Sequence, residues 1–332
     1  MKKVLLINDM SGYGNCSLAL QIPVVTACGD VPCVALTSYL SSHTGYDDVH
    51  RIDLSDQLKD TFSSWDKNGF RYDACICGYI SNATSILDVK EYLENQKLEN
   101  EKMLIMVDPV MGDSGKAYRH ITDEHIDYMK SLITIADVIT PNLTEACLLT
   151  GVDYEDLRLQ LGVLSYDGRV DKEKKKKKNR ASENLKKVSD KVISDLRPIL
   201  DKIIYKRMQV TIITGIEIYD CVVTVLDVYN GDEKKRQTTC NFMPKLDSRP
   251  GTGDLFDAMF LEMSFKGFNL IDCLKISTSF IQESLKFSTV NKIPSKEGPA
   301  IGPILVPNLE YIRLHTTKKA IKNSGDTNKD KK

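Results

Sequence analysis

The chain has 332 residues, with 45 basic and 46 acidic side chains and a formal net charge of −1. This length allows a large core, and the balanced charge excludes the strong electrostatic field that attracts nucleic acid or an anionic membrane. We therefore expect small-molecule partners, and neither nucleic acid nor a membrane.

Short runs rich in β-branched residues alternate with helical patterns over the first two thirds of the chain. In chain order, the predicted strands are residues 4–8, 31–37, 74–78, 104–108, 138–140 and 210–214, and the predicted helices are 16–28, 54–67, 85–97, 123–134 and 142–150. This alternation predicts an α/β fold with a mostly parallel sheet and helices on both faces. In such sheets, ligands bind at the carboxyl ends of the strands.

A lysine block interrupts this pattern at about residues 168–184. Like charges repel and the block buries no apolar area, so we predict an exposed or disordered insertion, with polyanion binding as a less favoured alternative. Helical patterns resume at residues 182–205, 255–266 and 271–289, and residues 220–242 alternate around Asn230-Gly231, which predicts a β-hairpin. We expect one domain over residues 1–315 and a polar, disordered tail over 316–332.

Cysteine usage and the N-terminal residues indicate where the protein works. Nine cysteines lie at irregular spacings, mostly inside apolar runs, which favours buried free thiols in a reducing compartment. The opening MKKVLLIND has too few apolar residues for a signal sequence, and no apolar run approaches the roughly 18 residues of a membrane span. We expect a cytoplasmic protein.

The motif Gly251-Thr252-Gly253-Asp254 stands directly before an apolar helical run. In one interpretation the glycines form a tight turn and Asp254 caps the helix. In the other, the helix N-terminus binds a phosphate beside Asp254, a potential base. Polar and glycine residues end five of the predicted strands, and this accumulation at one sheet edge favours the second interpretation.

Two further motifs at strand ends carry carboxylates. Asp108 and Asp113 flank a turn that contains Pro109 and Gly112, and oxygen ligands at one strand end suit Mg²⁺, although Asp-Pro is also a common turn initiator. Asn142 and Glu145 have the spacing of a capping box, which does not exclude Glu145 positioning a water on a metal ion. The P-loop, GxGxxG and GxSxG motifs are absent, and the five histidines lack metal-ligand spacing.

The motifs DPVMGD at 108–113, TPNLTE at 140–145 and GTGD at 251–254, in that order, resemble the ribokinase-like superfamily. Within it, SHTGY at 42–46 and the Gly78-Tyr79 strand end resemble the pyridoxal kinase family; the likeness covers residues 2–150 and 208–290. The resemblance implies a three-layer α/β/α sandwich with a mostly parallel central sheet and a β-hairpin extension. It also implies a homodimer that phosphorylates the 5′-hydroxymethyl group of pyridoxal, with pyridoxine and pyridoxamine as further substrates, using ATP, Mg²⁺ and a monovalent cation such as K⁺.

The resemblance further implies a role for each matching residue. Asp254 is similar to the catalytic base, and the amides of Gly251, Thr252 and Gly253 resemble an anion hole for the transferred phosphoryl group. The residues that resemble nucleotide-binding positions are Asp108, Asn142, Thr214, Gly215 and Thr252, and those similar to cation-binding positions are Asp113, Thr140 and Glu145. Those that resemble substrate contacts are Asp9, Ser11, His43, Thr44, Tyr79 and Asp254.

The first loop, INDMSGYGN at residues 7–15, departs from the longer loop of many pyridoxal kinases. It is closer to the loop of hydroxymethylpyrimidine kinases or of a shorter bacterial B6-kinase subtype, which leaves open whether Asp9 or Ser11 meets the pyridine ring. Two alternatives therefore stand beside pyridoxal kinase. One is a hydroxymethylpyrimidine (phosphate) kinase, which commonly has cysteine at the position of Asp254, and the other is a non-catalytic B6-binding protein.

Overall fold

A computed structural model describes residues 1–162, 177–206, 208–302 and 305, with the backbone alone for 177–184. Over these ranges the strands are β1 Lys3–Ser11, β2 Val31–Leu40, β3 Arg51–Asp53, β4 Ala74–Cys77, β5 Leu104–Val107, β6 Gly112–Asp113, β7 Lys116–Ala117, β8 Val138–Ile139, β9 Gln209–Ile218, β10 Cys221–Tyr229 and β11 Gln237–Pro244. The helices are α1 Leu18–Ala27, α2 Leu58–Lys67, α3 Ala83–Glu99, α4 Asp123–Ile133, α5 Leu143–Thr150, α6 Tyr154–Gly162, α7 Lys177–Lys202, α8 Thr252–Phe265 and α9 Leu270–Val290.

The described residues fall into two compact units, which we call unit 1 and unit 2. Unit 1 is drawn from Met1–Leu54, Arg71–Ile76 and the chain from Leu246 onward. Unit 2 is drawn from Ser55–Phe70 and Cys77–Lys245. The expectation of a single domain over residues 1–315 stays a prediction.

Unit 1 carries the strand order β4-β1-β2-β3. The pairing of β1 with β2 is parallel, from Lys3 opposite Val31 to Ser11 opposite Leu40, and β3 runs antiparallel to β2. The consecutive side chains Val4 to Ile7 are all 0% exposed, which is typical of a strand covered on both faces. The register of β1 shifts between Asn8 and Met10, at the strand end where candidate site residues lie.

Unit 2 carries the strand order β11-β10-β9-β8-β5. The strands β5, β8 and β9 pair in parallel, whereas β9, β10 and β11 pair antiparallel. The predicted hairpin is therefore confirmed as β10 and β11, although residues 230–236 form a longer connection that contains a 3-10 turn at Glu233–Lys235. These pairings confirm the predicted α/β class with a mostly parallel sheet and a β-hairpin extension.

The predicted elements are all present, with boundaries shifted by a few residues. Three short strands, β3, β6 and β7, and helix α6 were not predicted. Helix α7 begins at Lys177, earlier than the predicted residue 182, so the end of the predicted lysine insertion is helical backbone. The remainder of that insertion, 168–176, and the predicted tail 316–332 lie outside the described residues. No helix in the described ranges has the length and apolar character needed to cross a bilayer.

Candidate functional site

The GTGD motif forms the start of helix α8 in unit 1. Gly251 occupies the N-cap position with a left-handed φ of 84°, and Asp254 is the third residue of the helix. A Cβ atom at residue 251 would lie 2.6 Å from the carbonyl oxygen of Asn15 and 2.9 Å from the Cα atom of Cys16. Glycine is therefore required here for both conformation and space. Because Gly251 has no side chain to cap the helix, no N-cap side chain competes with an anion for the amides of Thr252 and Gly253.

Two hydrogen bonds hold the carboxylate of Asp254. The Asn8 side-chain amide donates to Oδ1 at 2.9 Å, and the Ser17 backbone amide donates to Oδ2 at 2.9 Å. Burial raises the pKa of Asp254 above its ordinary value, while these two bonds and the residue's own backbone amide lower it. The arrangement is that of an oriented carboxylate in a site of limited solvation, which suits a general base.

The predicted substrate residues Asp9 and Ser11 lie beside the same loop. The Ser17 hydroxyl donates to Asp9 Oδ1 at 2.6 Å, and the Ser11 hydroxyl lies 3.0 Å from Cys16 Sγ. Burial, together with the charge of Asp254, raises the pKa of Asp9 to about 6, against the lowering effect of the Ser17 hydrogen bond. Burial raises the pKa of the Cys16 thiol to about 12, so this group stays protonated at neutral pH.

The loop 41–50, also in unit 1, carries the predicted substrate residues His43 and Thr44. The His43 backbone amide donates to the Tyr13 carbonyl at 3.2 Å, and burial lowers the pKa of the His43 imidazole. The rings of Tyr13 and Tyr46 meet edge to face at 5.9 Å. These contacts tie the loop to the segment after β1, with the Thr44 side chain exposed.

Arg249 fixes the segment that follows α9 to the start of the GTGD motif. Its buried guanidinium donates to the backbone carbonyls of Ile293, Pro294 and Gly298 at 2.9, 3.0 and 3.3 Å. A Cβ atom at Gly298 would lie 2.0 Å from the Asn15 carbonyl oxygen. The Asn15 carbonyl is thus enclosed by two glycines, Gly251 and Gly298.

In unit 2, the TPNLTE motif forms the start of α5. Asn142 caps this helix in a full capping box with Glu145: the Asn142 side chain accepts from the Glu145 amide at 3.0 Å, and Glu145 Oε2 accepts from the Asn142 amide at 2.8 Å. The Met111 amide donates to Glu145 Oε1 at 3.2 Å, and the Asn142 side-chain amide donates to the Gly112 carbonyl at 2.8 Å. The capping box thereby joins the DPVMGD segment to α5.

The donors at this strand end fit a divalent cation. Burial, and then the charge of Asp108, raises the pKa of Glu145 well above its ordinary value, a repulsion that a bound cation would offset. The Thr140 hydroxyl is buried without a hydrogen-bond partner, whereas Asp113 is exposed and accepts from the Ser114 amide at 2.7 Å. The described ranges contain no cluster of three or more His, Cys, Asp and Glu residues arranged for a metal ion. Mg²⁺ commonly uses one or two carboxylates together with phosphate oxygens and water, and that mode matches this donor set.

The other predicted residues of unit 2 lie at two places. The Thr214 amide donates to the Pro141 carbonyl at 3.0 Å and forms a bridge with Asn142, and the adjacent Gly215 is exposed with a φ of 69°. Tyr79 follows β4, and its hydroxyl lies 2.9 Å from His120 Nε2. The structure thus groups Thr214 with Asn142 and pairs Tyr79 with a histidine that the sequence did not indicate.

The predicted site residues do not include Asn8, Ser17 or Arg249. Asn8 is the last residue of the predicted strand 4–8, and that position is the available signal. Ser17 and Arg249 act on partners that are distant in sequence, so no local pattern indicates them.

The chain resembles known kinases in sequence and in fold. Residues 21–162 match the family model described as phosphomethylpyrimidine kinase. The pyridoxal kinases of Bos taurus and Arabidopsis thaliana are each 32% identical, over 116 and 114 residues, which are 33% and 34% of this chain. The chain covers 37% of the length of each of these two relatives.

Among solved structures, a Bacteroides thetaiotaomicron protein described as a phosphomethylpyrimidine kinase and crystallised with pyridoxal is 28% identical. Its TM-score is 0.72, and the match covers 93% of this chain and 96% of that one. The pyridoxal kinase of Lactobacillus plantarum has a TM-score of 0.74 at 24% identity, covering 95% of this chain and 99% of that one. At 24% identity, the likeness to the Lactobacillus plantarum structure shows a shared fold and nothing more.

The chain therefore has the α/β fold of these kinase structures, and the predicted fold class is confirmed. The known proteins that it resembles are pyridoxal kinases and phosphomethylpyrimidine kinases.

Proposed function

We propose that the protein is an ATP-dependent kinase that phosphorylates the 5′-hydroxymethyl group of pyridoxal and gives pyridoxal 5′-phosphate. The observation that carries this proposal is the carboxylate of Asp254, oriented by Asn8 and Ser17 at the N-terminus of α8. The pyridoxal kinase relatives and the pyridoxal-bound Bacteroides protein support the substrate class. Pyridoxine and pyridoxamine carry the same hydroxymethyl group and are expected to react as well.

The proposed reaction divides its work between a base and an anion hole. Asp254 accepts the proton of the substrate hydroxyl as the oxygen bonds to the γ-phosphorus, and the bond to the β-phosphate oxygen of ATP breaks to release ADP. A carboxylate in hydrogen-bond reach assists because an alcohol is a weak nucleophile at neutral pH. The amides of Gly251, Thr252 and Gly253 stabilise charge on the transferring phosphoryl group.

Unit 2 supplies the proposed nucleotide and cation residues. Asp108, Asn142, Thr214 and Gly215 are proposed to bind ATP, and Thr252 is a further proposed ATP contact. Asp113, Thr140 and Glu145 would hold Mg²⁺ and its waters, and Mg²⁺ neutralises phosphate charge during transfer. Because both oxygens of Glu145 already accept backbone amides, we expect Glu145 to act through water. A K⁺ requirement, the homodimer and the cytoplasmic location remain predictions from the resemblance and the composition.

The substrate side of the proposal uses unit 1 residues and Tyr79. Asp9, Ser11, His43 and Thr44 are proposed to contact the B6 vitamer. Asp9 is buried with a pKa of about 6. Its ionised form can accept a hydrogen bond from a pyridinium N–H or a phenolic O–H, and its protonated form can donate one to a neutral pyridine nitrogen.

A second candidate is phosphorylation of hydroxymethylpyrimidine, which the family model over residues 21–162 favours. Turnover with pyridoxal, pyridoxine, pyridoxamine and hydroxymethylpyrimidine, each with Mg²⁺ and ATP, decides between the two. A preference for the pyrimidine of more than about tenfold in kcat/KM, equal to about 1.4 kcal/mol, would overturn the pyridoxal assignment.

The base is tested with Asp254→Ala and Asp254→Asn. We expect kcat to fall by about 10² or more while ATP binding persists, because the lost group accepts the proton in the transition state. Asp272→Asn is a matched control, since Asp272 is the third residue of α9 and follows its N-cap Asn269 as Asp254 follows Gly251. Parent-like turnover in Asp254→Asn would reject the base, whereas absence of turnover in the parent would favour a binding protein on the same fold.

A further inference from the structure

Ser17 has an unusual conformation for a residue that starts a helix. It is the N-cap residue of α1 with φ 50° and ψ −129°, where a serine normally has an extended backbone and caps an amide of the first turn. Its side chain makes no cap hydrogen bond. Positive φ is unfavourable for a residue with a Cβ atom and needs support from its surroundings.

The two hydrogen-bond donors of Ser17 are directed to two carboxylates instead. The hydroxyl donates to Asp9 at 2.6 Å, and the backbone amide donates to Asp254 at 2.9 Å. Ser17 and Asp9 are 8% and 5% exposed, so water competes little for the bond between them. A short hydrogen bond to a buried carboxylate is strong enough to hold a strained backbone in place.

We propose that Ser17 is a positioning residue for Asp254: its bond to Asp9 holds the backbone conformation that aims the Ser17 amide at the base. The inference rests on the proposed role of Asp254 and adds Asp9 and Ser17 to the apparatus that orients it. Asp9, which lies on β1, therefore acts on Asp254 indirectly, through its hydrogen bond with Ser17. This role is separate from any contact that Asp9 makes with substrate.

Two substitutions separate the hydroxyl from the backbone conformation. Ser17→Ala removes the bond to Asp9 and keeps the Cβ atom, so the backbone is expected to relax away from positive φ and withdraw its amide from Asp254. Ser17→Gly also removes the bond, but glycine adopts positive φ without strain. We therefore expect kcat for pyridoxal to be highest in the parent, lower in Ser17→Gly and lowest in Ser17→Ala, where it falls by about tenfold or more. The KM for pyridoxal should change by less than about twofold.

A helix-capping role alone gives the same order of stability, because glycine replaces a capping serine at less cost than alanine. It would, however, change only the folded fraction and leave the turnover of folded molecules unaltered. Urea midpoints establish that both variants are folded under the assay conditions, so that kcat compares folded enzymes. Equal kcat for the folded parent and alanine variants would overturn the proposal.

Titration of Asp254 supplies a readout that does not depend on turnover. Losing the Ser17 amide bond should raise the pKa of Asp254, since that bond lowers it, and ¹³C-carboxyl NMR assigned with Asp254→Asn measures the change. The titratable groups facing Asp254 are Asp9 from β1 and Cys16 from the loop before α1, and Arg51 from β3 acts on Asp9. An unchanged Asp254 titration in Ser17→Ala rejects the positioning role, whereas a parent enzyme inactive on pyridoxal rejects the proposed function alone.

Discussion

Asp9 is an acid whose ionisation opposes folding. Burial and the charge of Asp254 raise its pKa from an ordinary value of 3.8 to about 6. A folded-state pKa above the unfolded one means that the folded chain binds the proton more tightly. For a pKa shift of about two units, this tighter binding adds about 3 kcal/mol to the free energy of unfolding. The contribution is complete below about pH 4 and is lost as the pH rises through about 6.

Replacing Asp9 with asparagine should remove this dependence. Because the amide does not ionise, we expect Asp9→Asn to gain up to about 3 kcal/mol of unfolding free energy relative to the parent at pH 7.5, and much less at pH 4.5. Urea unfolding of both proteins at the two pH values measures the difference. A stability difference that is the same at both pH values would show that Asp9 ionises normally in the folded chain.

The residues around Asp254 show how far a sequence can predict a site. The GTGD motif and the strand-end carboxylates are local patterns, and they are visible because each is a short run of special residue types. Asn8 and Ser17 contact Asp254 across 246 and 237 positions of sequence. Such partners depend on how β1 and α8 pack within unit 1, which no local pattern encodes.

The cap of helix α5 is proposed to serve both the structure of the helix and the binding of ATP. Asn142 caps α5 and holds the Gly112 carbonyl, while Asn269 caps α9 by accepting from the Asp272 amide at 2.9 Å. We expect Asn142→Ala and Asn269→Ala each to cost about 1 kcal/mol of stability through the lost cap. Only Asn142→Ala should raise the KM for ATP, by about fivefold or more, because it frees the DPVMGD segment from α5.

Thermal unfolding and steady-state kinetics on the two variants measure both effects. Equal ATP kinetics in the two variants would restrict Asn142 to a capping role. A larger stability loss for Asn142→Ala is consistent with its second hydrogen bond, since a buried carbonyl would then lose its partner.

The elements that the sequence missed share a physical cause. β6 and β7 have two residues each and β3 has three, too few to display an alternation. Helix α6 did offer a signal, because Leu157 and Leu161 are buried at a spacing of four residues. The long buried strands were predicted well since Val4 to Ile7 must be apolar throughout when both faces of the sheet are covered.

In the whole molecule, predicted site residues with different proposed roles lie mostly in different units. Unit 1 contains the proposed base, the proposed anion hole and most of the proposed vitamer contacts, whereas unit 2 contains the proposed cation-binding residues and most of the proposed nucleotide contacts. The alternation of strands and helices predicted the α/β fold, but not this division. Units 1 and 2 are each assembled from separate stretches of sequence, and sequence periodicity cannot report which stretches associate.

This division leads to a prediction about hydrogen exchange. Binding stabilises the residues that a ligand contacts, and the exchange of their amides slows as local opening becomes less favourable. Pyridoxal alone should protect residues 8–17 and 251–256 in unit 1. ADP with Mg²⁺ should protect residues 108–115, 140–146 and 214–216 in unit 2, with an added effect at Thr252.

Mass spectrometry of peptides from the free, pyridoxal-bound and Mg²⁺-ADP-bound protein measures this pattern, and ADP with EDTA is the matched control for the cation. If Asp108 and Asp113 act through Mg²⁺, EDTA should weaken the protection of residues 108–115. The protection of residues 214–216 should persist in EDTA, because Thr214 and Gly215 are proposed to contact the nucleotide itself. If Mg²⁺-ADP protected only unit 1, the nucleotide assignments of unit 2 would be wrong. Since Asp254 is tested separately by turnover, that result would leave the proposed base in place and move the search for the ATP contacts to the loops of unit 1.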